Sequence, residues 1–144
     1  MSAECPWLPY GDTAGVCDRC GTELTGRQTR WCSASCMNEW RAQHDWGMAR
    51  DAAKKRDGHR CVKCGAEGQY DWREPENAVR LEVNHIAPRV GRGYGFGCHN
   101  HHDNLETLCH PCHVGVTKQQ AAERRARFVQ ASAPSLFDVG GDRA

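Results

Sequence analysis

The sequence predicts a small α+β protein whose fold depends on bound zinc. A mean hydropathy of −0.76 and 39% hydrophobic residues leave little material for an apolar core in a chain of 144 residues. Ten cysteines, most of them in close pairs, offer metal ligands that stabilise a small fold where the core cannot. The C-terminal half has hydrophobic patterns in the order strand, loop, strand, helix.

The cysteine spacing predicts two structural zinc sites. Four thiolates in closely spaced pairs hold Zn²⁺ tetrahedrally and leave no coordination position open. The two sets are Cys17, Cys20, Cys32 and Cys36, and Cys61, Cys64, Cys109 and Cys112. Buried free cysteines would not need the recurrent C-x-x-C spacing, and redox dithiols are disfavoured because neither pair sits in a βαβ unit. Cys98 is expected to pack under a loop and Cys5 to be a free thiol, so neither is assigned to zinc.

The cellular setting is predicted from what the sequence does not contain. The first residues, "MSAECPWLPYGDTAG", have no apolar signal segment, and no run approaches the roughly 18 apolar residues of a membrane span. We therefore expect a cytoplasmic protein, nucleoid-associated if it is bacterial, with no membrane partner. In a reducing compartment, paired cysteines are metal ligands more often than disulfides.

The elements follow from local patterns. Residues 37–58 read as a helix with Ser33 or Ser35 as its cap, Gly58 as its stop and Gly47 as a point of kinking or division. Residues 79–84 alternate as a half-buried strand, "GRGYGFG" is a loop, "NLETLC" is compatible with a second strand, and "HPCHVGVTKQQAAERRARFVQ" reads as a helix.

The same patterns divide the chain into four parts. They are an extension (1–15), a four-cysteine module with the start of a connecting helix (16–45), a main domain (46–130) and a disordered tail (131–144).

Four stretches of the main domain together resemble the HNH endonucleases, also called ββα-metal nucleases. They are "KKRDGHRCVKCG", "LEVNHIAPR", "DNLETLCHPCH" and "VTKQQ", and the resemblance covers residues 52–125. It is to the subfamily whose hairpin is clamped by two C-x-x-C pairs, and it implies a treble-clef-like ββα-metal domain. The stretches "CDRCG" and "WCSASCMNEW" look like the zinc-knuckle module sometimes found in front of such nucleases.

The resemblance also implies roles for site residues. His85 would be the general base, Asn104 the middle asparagine that bonds loop backbone, and His113 a ligand of the catalytic metal, with Asn84 as its partner ligand. A histidine, whose ordinary pKa is about 6.5, can accept a proton from water near neutral pH. The alternatives are that His85 merely ends a strand, that Asn104 is an ordinary turn residue, and that His113 is a bystander beside the zinc site.

The catalytic cation is expected to be Mg²⁺ or Mn²⁺, with Ni²⁺ and Zn²⁺ as further candidates. Asn84 stands where an acidic residue is commoner in the family, and a neutral amide oxygen binds Mg²⁺ less strongly than a carboxylate does. The resemblance implies cleavage to 5′-phosphate and 3′-hydroxyl ends.

DNA is the expected partner, although the formal net charge is only +1. Local basic stretches at 41–60 and 118–127 carry the argument instead. The expected phosphate contacts are Lys54, Lys55, Arg89, Arg92 and Lys118. Most of the loop histidines at 99, 101, 102 and 110 are expected to be exposed polar surface.

Three other functions remain open from the sequence. A non-catalytic zinc module could bind DNA or a protein, and an active nuclease could act on RNA or on branched DNA. The tail stretch "APSLFD" resembles the end of the peptide by which bacterial replication and repair proteins dock on the sliding clamp, with Leu136 and Phe137 as its anchors and Ala133 where a glutamine is expected.

Overall fold

The fold is a short antiparallel hairpin with helices on both sides, as a computed structural model of residues 5–69, 76–89 and 95–132 shows. The helices are α1 (Ala34–His44), α2 (Trp46–Arg56) and α3 (His110–Ser132), and the strands are β1 (Leu81–His85) and β2 (Leu105–Cys109). The predicted α+β class and the order strand, loop, strand, helix are confirmed. Ala131 and Ser132 belong to α3 rather than to the tail, and residues 133–144 lie outside the described part of the chain.

The single helix predicted over 37–58 is two helices, and the break is at Asp45 rather than at Gly47. Asp45 has an extended backbone that ends α1, and its side-chain oxygen accepts a hydrogen bond of 3.1 Å from the N–H of Met48 to begin α2. Ser33 caps α1 by accepting from the N–H of Cys36 at 3.2 Å. A side chain that caps one helix while its backbone ends another redirects the chain sharply.

The hairpin is the centre of the core. Its register pairs Leu81 with Cys109 and His85 with Leu105. Val83 and Leu105 pack with Ala49 and Ala53 of α2, with Trp46 at the margin of this cluster. A second cluster lies where β2 meets α3 and surrounds Leu108 of β2, which is fully buried. Its other members are Cys61, Ala66, Val79, Leu81, Cys109, Cys112 and Val116.

An ion pair at the end of α2 fixes the second strand. Arg56 bonds the carboxylate of Asp57 at 2.8 Å and donates to the carbonyl of Leu105 at 2.7 Å. Asp57 accepts from the N–H of Thr107 at 3.1 Å. Burial acts to raise the pKa of Asp57, but the bonds from Arg56 and Thr107 outweigh it and hold that pKa below its ordinary value. The helix end is therefore tied to β2 by a charged group that is already ionised at neutral pH.

The longest helix, α3, has 23 residues and is largely polar. Among the described residues, no helix has both the length and the apolar character that a membrane crossing requires.

Candidate metal centres and active site

The first predicted thiol set comes together around the start of α1. The sulfur atoms of Cys17, Cys20, Cys32 and Cys36 all lie within 4.8 Å of one another, and Cys20 and Cys32 are 3.4 Å apart. Gly21 has a φ of +74° and donates its N–H to the carbonyl of Cys17 at 2.9 Å, which closes the tight turn of the first pair. A tetrahedral zinc ion with Zn–S bonds of about 2.3 Å would separate its sulfurs by about 3.8 Å, so this set fits zinc.

The second predicted set clamps the base of the hairpin. Cys61 and Cys64 follow α2, Cys109 ends β2 and Cys112 lies in the first turn of α3, and their sulfurs also lie within 4.8 Å of one another. Burial acts to raise the pKa of the Cys61 thiol, but backbone N–H groups of Cys109, Cys64 and Lys63 outweigh it and bring that pKa to about 6. Amide donors that stabilise a thiolate prepare a cysteine to bind metal. This set fits zinc for the same reasons as the first.

His85 lies at the end of β1 with its ring stacked on Trp46, the two centroids being 4.9 Å apart. Its Nε2 is 3.0 Å from the side-chain oxygen of Asn100. The amide nitrogen of Asn100 donates to the carbonyls of His44 at 2.7 Å and Gly95 at 3.1 Å, which fixes the orientation of that amide. Because Oδ1 can only accept, Nε2 of His85 carries the proton and Nδ1 retains a lone pair. The network therefore assigns the tautomer in which His85 can accept a proton at Nδ1.

Sequence reasoning missed Asn100. It lies in "GCHNHH" with no pattern to mark it, and it is almost fully buried. Only the folded loop shows that its amide joins His85 to the end of α1.

Asn104 holds the backbone on both sides of the loop that follows His85. Its side-chain oxygen accepts from the N–H of Ala87 at 2.8 Å, and its amide donates to the carbonyl of His99 at 2.9 Å. Its own carbonyl accepts from the N–H of Ile86 at 2.9 Å. The family resemblance implies bonds to loop backbone for this asparagine, and the three bonds here are to backbone groups of the loop.

The other face of β1 carries Glu82 and Asn84. The Glu82 carboxylate contacts Nδ1 of His113 closely and lies 3.3 Å from His110. The amide nitrogen of Asn84 donates to Glu106 on the facing strand at 3.0 Å. Burial acts to raise the pKa of Glu82, but the two histidines outweigh it and hold that pKa below its ordinary value.

The predicted cation ligands Asn84 and His113 each contact a carboxylate, which is that of Glu106 for Asn84 and that of Glu82 for His113. Within the described residues the two side chains share no hydrogen bond with each other. Sequence reasoning missed Glu82 and Glu106. Glu82 could have been found from the alternation of β1, which places residues 82 and 84 on one face, and Glu106 from its position opposite Asn84 in the hairpin.

Comparison with known proteins bears on the same hairpin. Residues 61–119 match the model of the family described as HNH endonuclease. A "Probable HNH endonuclease" of Lactococcus phage SK1 is 32% identical over 81 residues, which cover 56% of this chain and 77% of the phage protein. The chain belongs to the HNH endonuclease family. No solved structure matches it significantly.

Family membership supports nuclease activity at the level of the family, and the matched residues contain the motif histidines and asparagines. The match does not extend to the first thiol set or to Leu136 and Phe137. Those two residues also lie outside the described part of the chain, and the comparisons lend no support to docking on a sliding clamp.

A further donor cluster in this HNH protein lies outside the two predicted thiol sets. Cys5 is buried and Cys98 is half-buried, and both lie with His44 and His101 in a third group whose ligand atoms are within 4.8 Å of one another. The loop histidines are also less exposed than predicted. His99, His101 and His102 are half-buried, and only His110 is exposed.

One of the predicted phosphate contacts of the HNH domain, Lys54, lies beside the hairpin. Arg50, Lys54 and Arg80 line a cavity of about 940 Å³ that also borders Glu82 and Trp46. Arg89 is half-buried, while Lys55 and Lys118 are exposed. Burial, followed by the charge of Arg89, lowers the pKa of His99. Arg92 lies outside the described residues.

Proposed function

We propose that this protein is a metal-dependent endonuclease that nicks or cuts DNA by phosphodiester hydrolysis, with His85 as the general base. The observation that carries the proposal is the bond from Nε2 of His85 to Asn100. This bond supports the tautomer in which Nδ1 of His85 is free to accept a proton, as a general base requires. The stack on Trp46 supports a fixed position of the His85 ring.

The chemistry requires one proton acceptor at the attacking water. Nδ1 of His85 would take the proton as the water oxygen forms a bond to phosphorus and the bond from phosphorus to the 3′ oxygen breaks. The departing 3′ oxygen would take a proton from a solvent water. The products are a 5′-phosphate and a 3′-hydroxyl. Asn104 would act as a positioning residue, because its bonds to Ala87 and His99 fix the loop that follows His85.

The cation would be held on the opposite face of β1, by the carboxylate of Glu82, the amide oxygen of Asn84 and His113. With its nitrogen donated to Glu106, the Asn84 amide keeps its oxygen available. Carboxylate and amide oxygens suit Mg²⁺ and Mn²⁺, and an imidazole extends the range to Ni²⁺ and Zn²⁺. When bound, the cation would neutralise charge on the phosphate and on the leaving oxygen.

Zinc would have a separate, structural role in the two four-cysteine sets. The second set joins the loop after α2 to the junction of β2 and α3, so zinc there would hold His113 against β1. A closed tetrahedral site has no position for water and does no chemistry.

DNA would be bound through its phosphates. Arg50 and Lys54 beside the cavity, with Arg89 on the loop and Lys55 and Lys118 at the surface, supply positive charge around the hairpin. Contacts to phosphate position the duplex without reading its sequence, and their affinity falls steeply as salt rises.

The test is nicking of supercoiled plasmid by zinc-loaded protein, with EDTA, Mg²⁺, Mn²⁺ and Ni²⁺ compared. We expect cation-dependent nicking, and a fall of about 10²- to 10⁴-fold in the variant His85→Ala. The variant must keep the zinc content and the thermal unfolding temperature of the wild type.

Single-stranded DNA, branched DNA and RNA are parallel substrates. If the protein cleaves one of these substrates but not plasmid, the proposed hydrolysis mechanism stands and duplex DNA is replaced as the substrate. Salt-sensitive DNA binding with no cleavage of any substrate under any cation would replace the nuclease by a non-catalytic binding module.

A further inference from the structure

A third group of metal donors is assembled from three separate parts of the chain. Cys5 precedes the zinc knuckle, His44 ends α1, and Cys98 and His101 lie on the turns before β2. His44 is fully buried and Cys5 nearly so. These four residues, which we call the Cys2His2 cluster, join the N-terminal segment to the loop beside His85.

The imidazole of His44 is oriented as a metal ligand. Its Nδ1 lies 2.8 Å from the carbonyl of Trp40, and because a carbonyl only accepts, Nδ1 carries the proton. Nε2 therefore presents a lone pair to the interior of the cluster. Ligating histidines commonly donate their other ring N–H to a carbonyl or carboxylate in this way.

Three of the four donor atoms have separations close to those that a tetrahedral ion requires, and the fourth, the sulfur of Cys98, lies within 4.8 Å of each of them. Nε2 of His44 is 3.0 Å from Nε2 of His101 and 3.2 Å from the sulfur of Cys5. The sulfur of Cys5 is 3.6 Å from Nε2 of His101. Zinc with Zn–N and Zn–S bonds of about 2.0 and 2.3 Å would give separations of about 3.3 Å between nitrogens and about 3.5 Å between nitrogen and sulfur.

We propose that this cluster is a third zinc site, formed by Cys5, His44, Cys98 and His101. Two thiolates and two imidazoles in a closed tetrahedral arrangement are a donor set typical of structural zinc. The ion accounts for why two ring nitrogens approach each other in a buried place. It also gives Cys5 and Cys98 a shared role that their isolation in the sequence conceals.

The site would position the catalytic loop as well as stabilise it. Asn100 lies between Cys98 and His101, and its amide donates to the carbonyl of His44. The same amide accepts from His85 at 3.0 Å. Zinc would thus fix both ends of the short segment that orients His85. This second role rests on the proposed function, whereas the zinc site itself does not.

The first test is the zinc content of the purified, reduced full chain, measured by mass spectrometry of the intact protein under native conditions and by elemental analysis. We expect three zinc ions per chain, one for each donor group. Cys98→Ser and Cys5→Ser should each hold one ion fewer. His99→Gln is the matched control, because it changes a half-buried residue next to Cys98 that is outside the cluster, and it should keep all three.

A second measurement uses Co²⁺ in place of zinc. Cobalt bound by two sulfurs and two nitrogens absorbs at shorter wavelength than cobalt bound by four sulfurs, so Cys98→Ser should lose the shorter-wavelength component alone. Two zinc ions in the wild type, or an unreduced wild type whose mass and peptide map show a Cys5 to Cys98 disulfide, would overturn the proposal.

The zinc count is independent of DNA cleavage. Three ions in a protein that cuts no substrate would leave the site standing and remove the proposed function. Two ions in a protein that cleaves DNA would remove the third zinc site and leave the proposed function standing.

Discussion

The two faces of β1 differ in what holds their polar side chains. On the α2 side, Val83 is in the apolar core and His85 is fixed by Trp46 and Asn100, through a stack and a hydrogen bond to a buried amide. On the α3 side, Glu82 and Asn84 are held by ionic and polar contacts with His113 and Glu106. Consecutive strand residues point to opposite faces, so one short strand can carry both the proposed base and the proposed cation site.

This difference predicts two distinct kinds of kinetic defect. Changes on the α3 side should alter the cation concentration that cleavage needs, because the cation competes with contacts among charged side chains there. Changes on the α2 side should alter the rate at saturating cation, because they disturb the orientation of His85.

The largest effect on the cation requirement is expected from Glu82→Gln. Loss of the carboxylate removes a negative ligand and the ionic partner of His113, so the cation concentration for half-maximal nicking should rise about 10- to 100-fold. The rate at saturation should largely recover. Plasmid nicking over a Mn²⁺ titration measures both quantities.

Glu123→Gln is the control for this change, since Glu123 is an exposed carboxylate on α3 that accepts a hydrogen bond from Gln119. It should leave both quantities as in the wild type. A lower saturating rate with an unchanged cation requirement in Glu82→Gln would remove Glu82 from the cation site.

A smaller effect is expected from Asn100→Ala. Without its oxygen, His85 can adopt either tautomer, so the saturating rate should fall about tenfold while the cation requirement stays constant. The ¹⁵N chemical shifts of His85 should change from a single Nε2–H tautomer to a mixture.

Gln43→Ala provides a matched control for the loss of a buried amide. Gln43 bonds the backbone and ring of His102 at 2.9 Å each, in the same loop, but does not contact His85. It should cost stability without changing the His85 tautomer. An unchanged tautomer in Asn100→Ala would mean that Asn100 does not orient the base.

The smallest effect is expected from Asn84→Asp. The new carboxylate at position 84 would lie beside that of Glu106, and a bound cation would reduce the repulsion between the two. The Mg²⁺ concentration for half-maximal nicking should therefore fall about threefold to tenfold. The preference should shift toward Mg²⁺ relative to Ni²⁺. An unaltered ion ranking would show that residue 84 does not contact the cation.

Local spacing in the sequence predicted much of this structure. Residues close in sequence, or a motif that repeats, mark the thiol sets that begin at Cys17 and Cys61, the alternation of β1 and the helix that begins at His110. The sequence points to Gly47 as the helix breaker, because glycine has a low helix propensity. The break is at Asp45 instead, because its side chain caps α2 once the backbone there leaves the helical conformation.

Long-range contacts account for what the sequence did not reveal. Cys5 and Cys98 are 93 positions apart and neither belongs to a pair, so nothing local joins them to His44 and His101. Asn100 acquires its role only when the loop packs on the end of α1. Glu82 was predictable in part. The alternation of β1 predicts the face of the strand on which its side chain lies, but not its contact with His113.

The most direct test of the separation between the two faces is Mn²⁺ binding to zinc-loaded protein, followed by electron paramagnetic resonance in the absence of DNA and compared with plasmid nicking. We expect His85→Ala to bind Mn²⁺ as the wild type does and to lose nicking, and Glu82→Gln to bind Mn²⁺ weakly and to nick only at raised Mn²⁺. Equal loss of Mn²⁺ affinity in both variants would contradict the assignment of base and cation to opposite faces of β1.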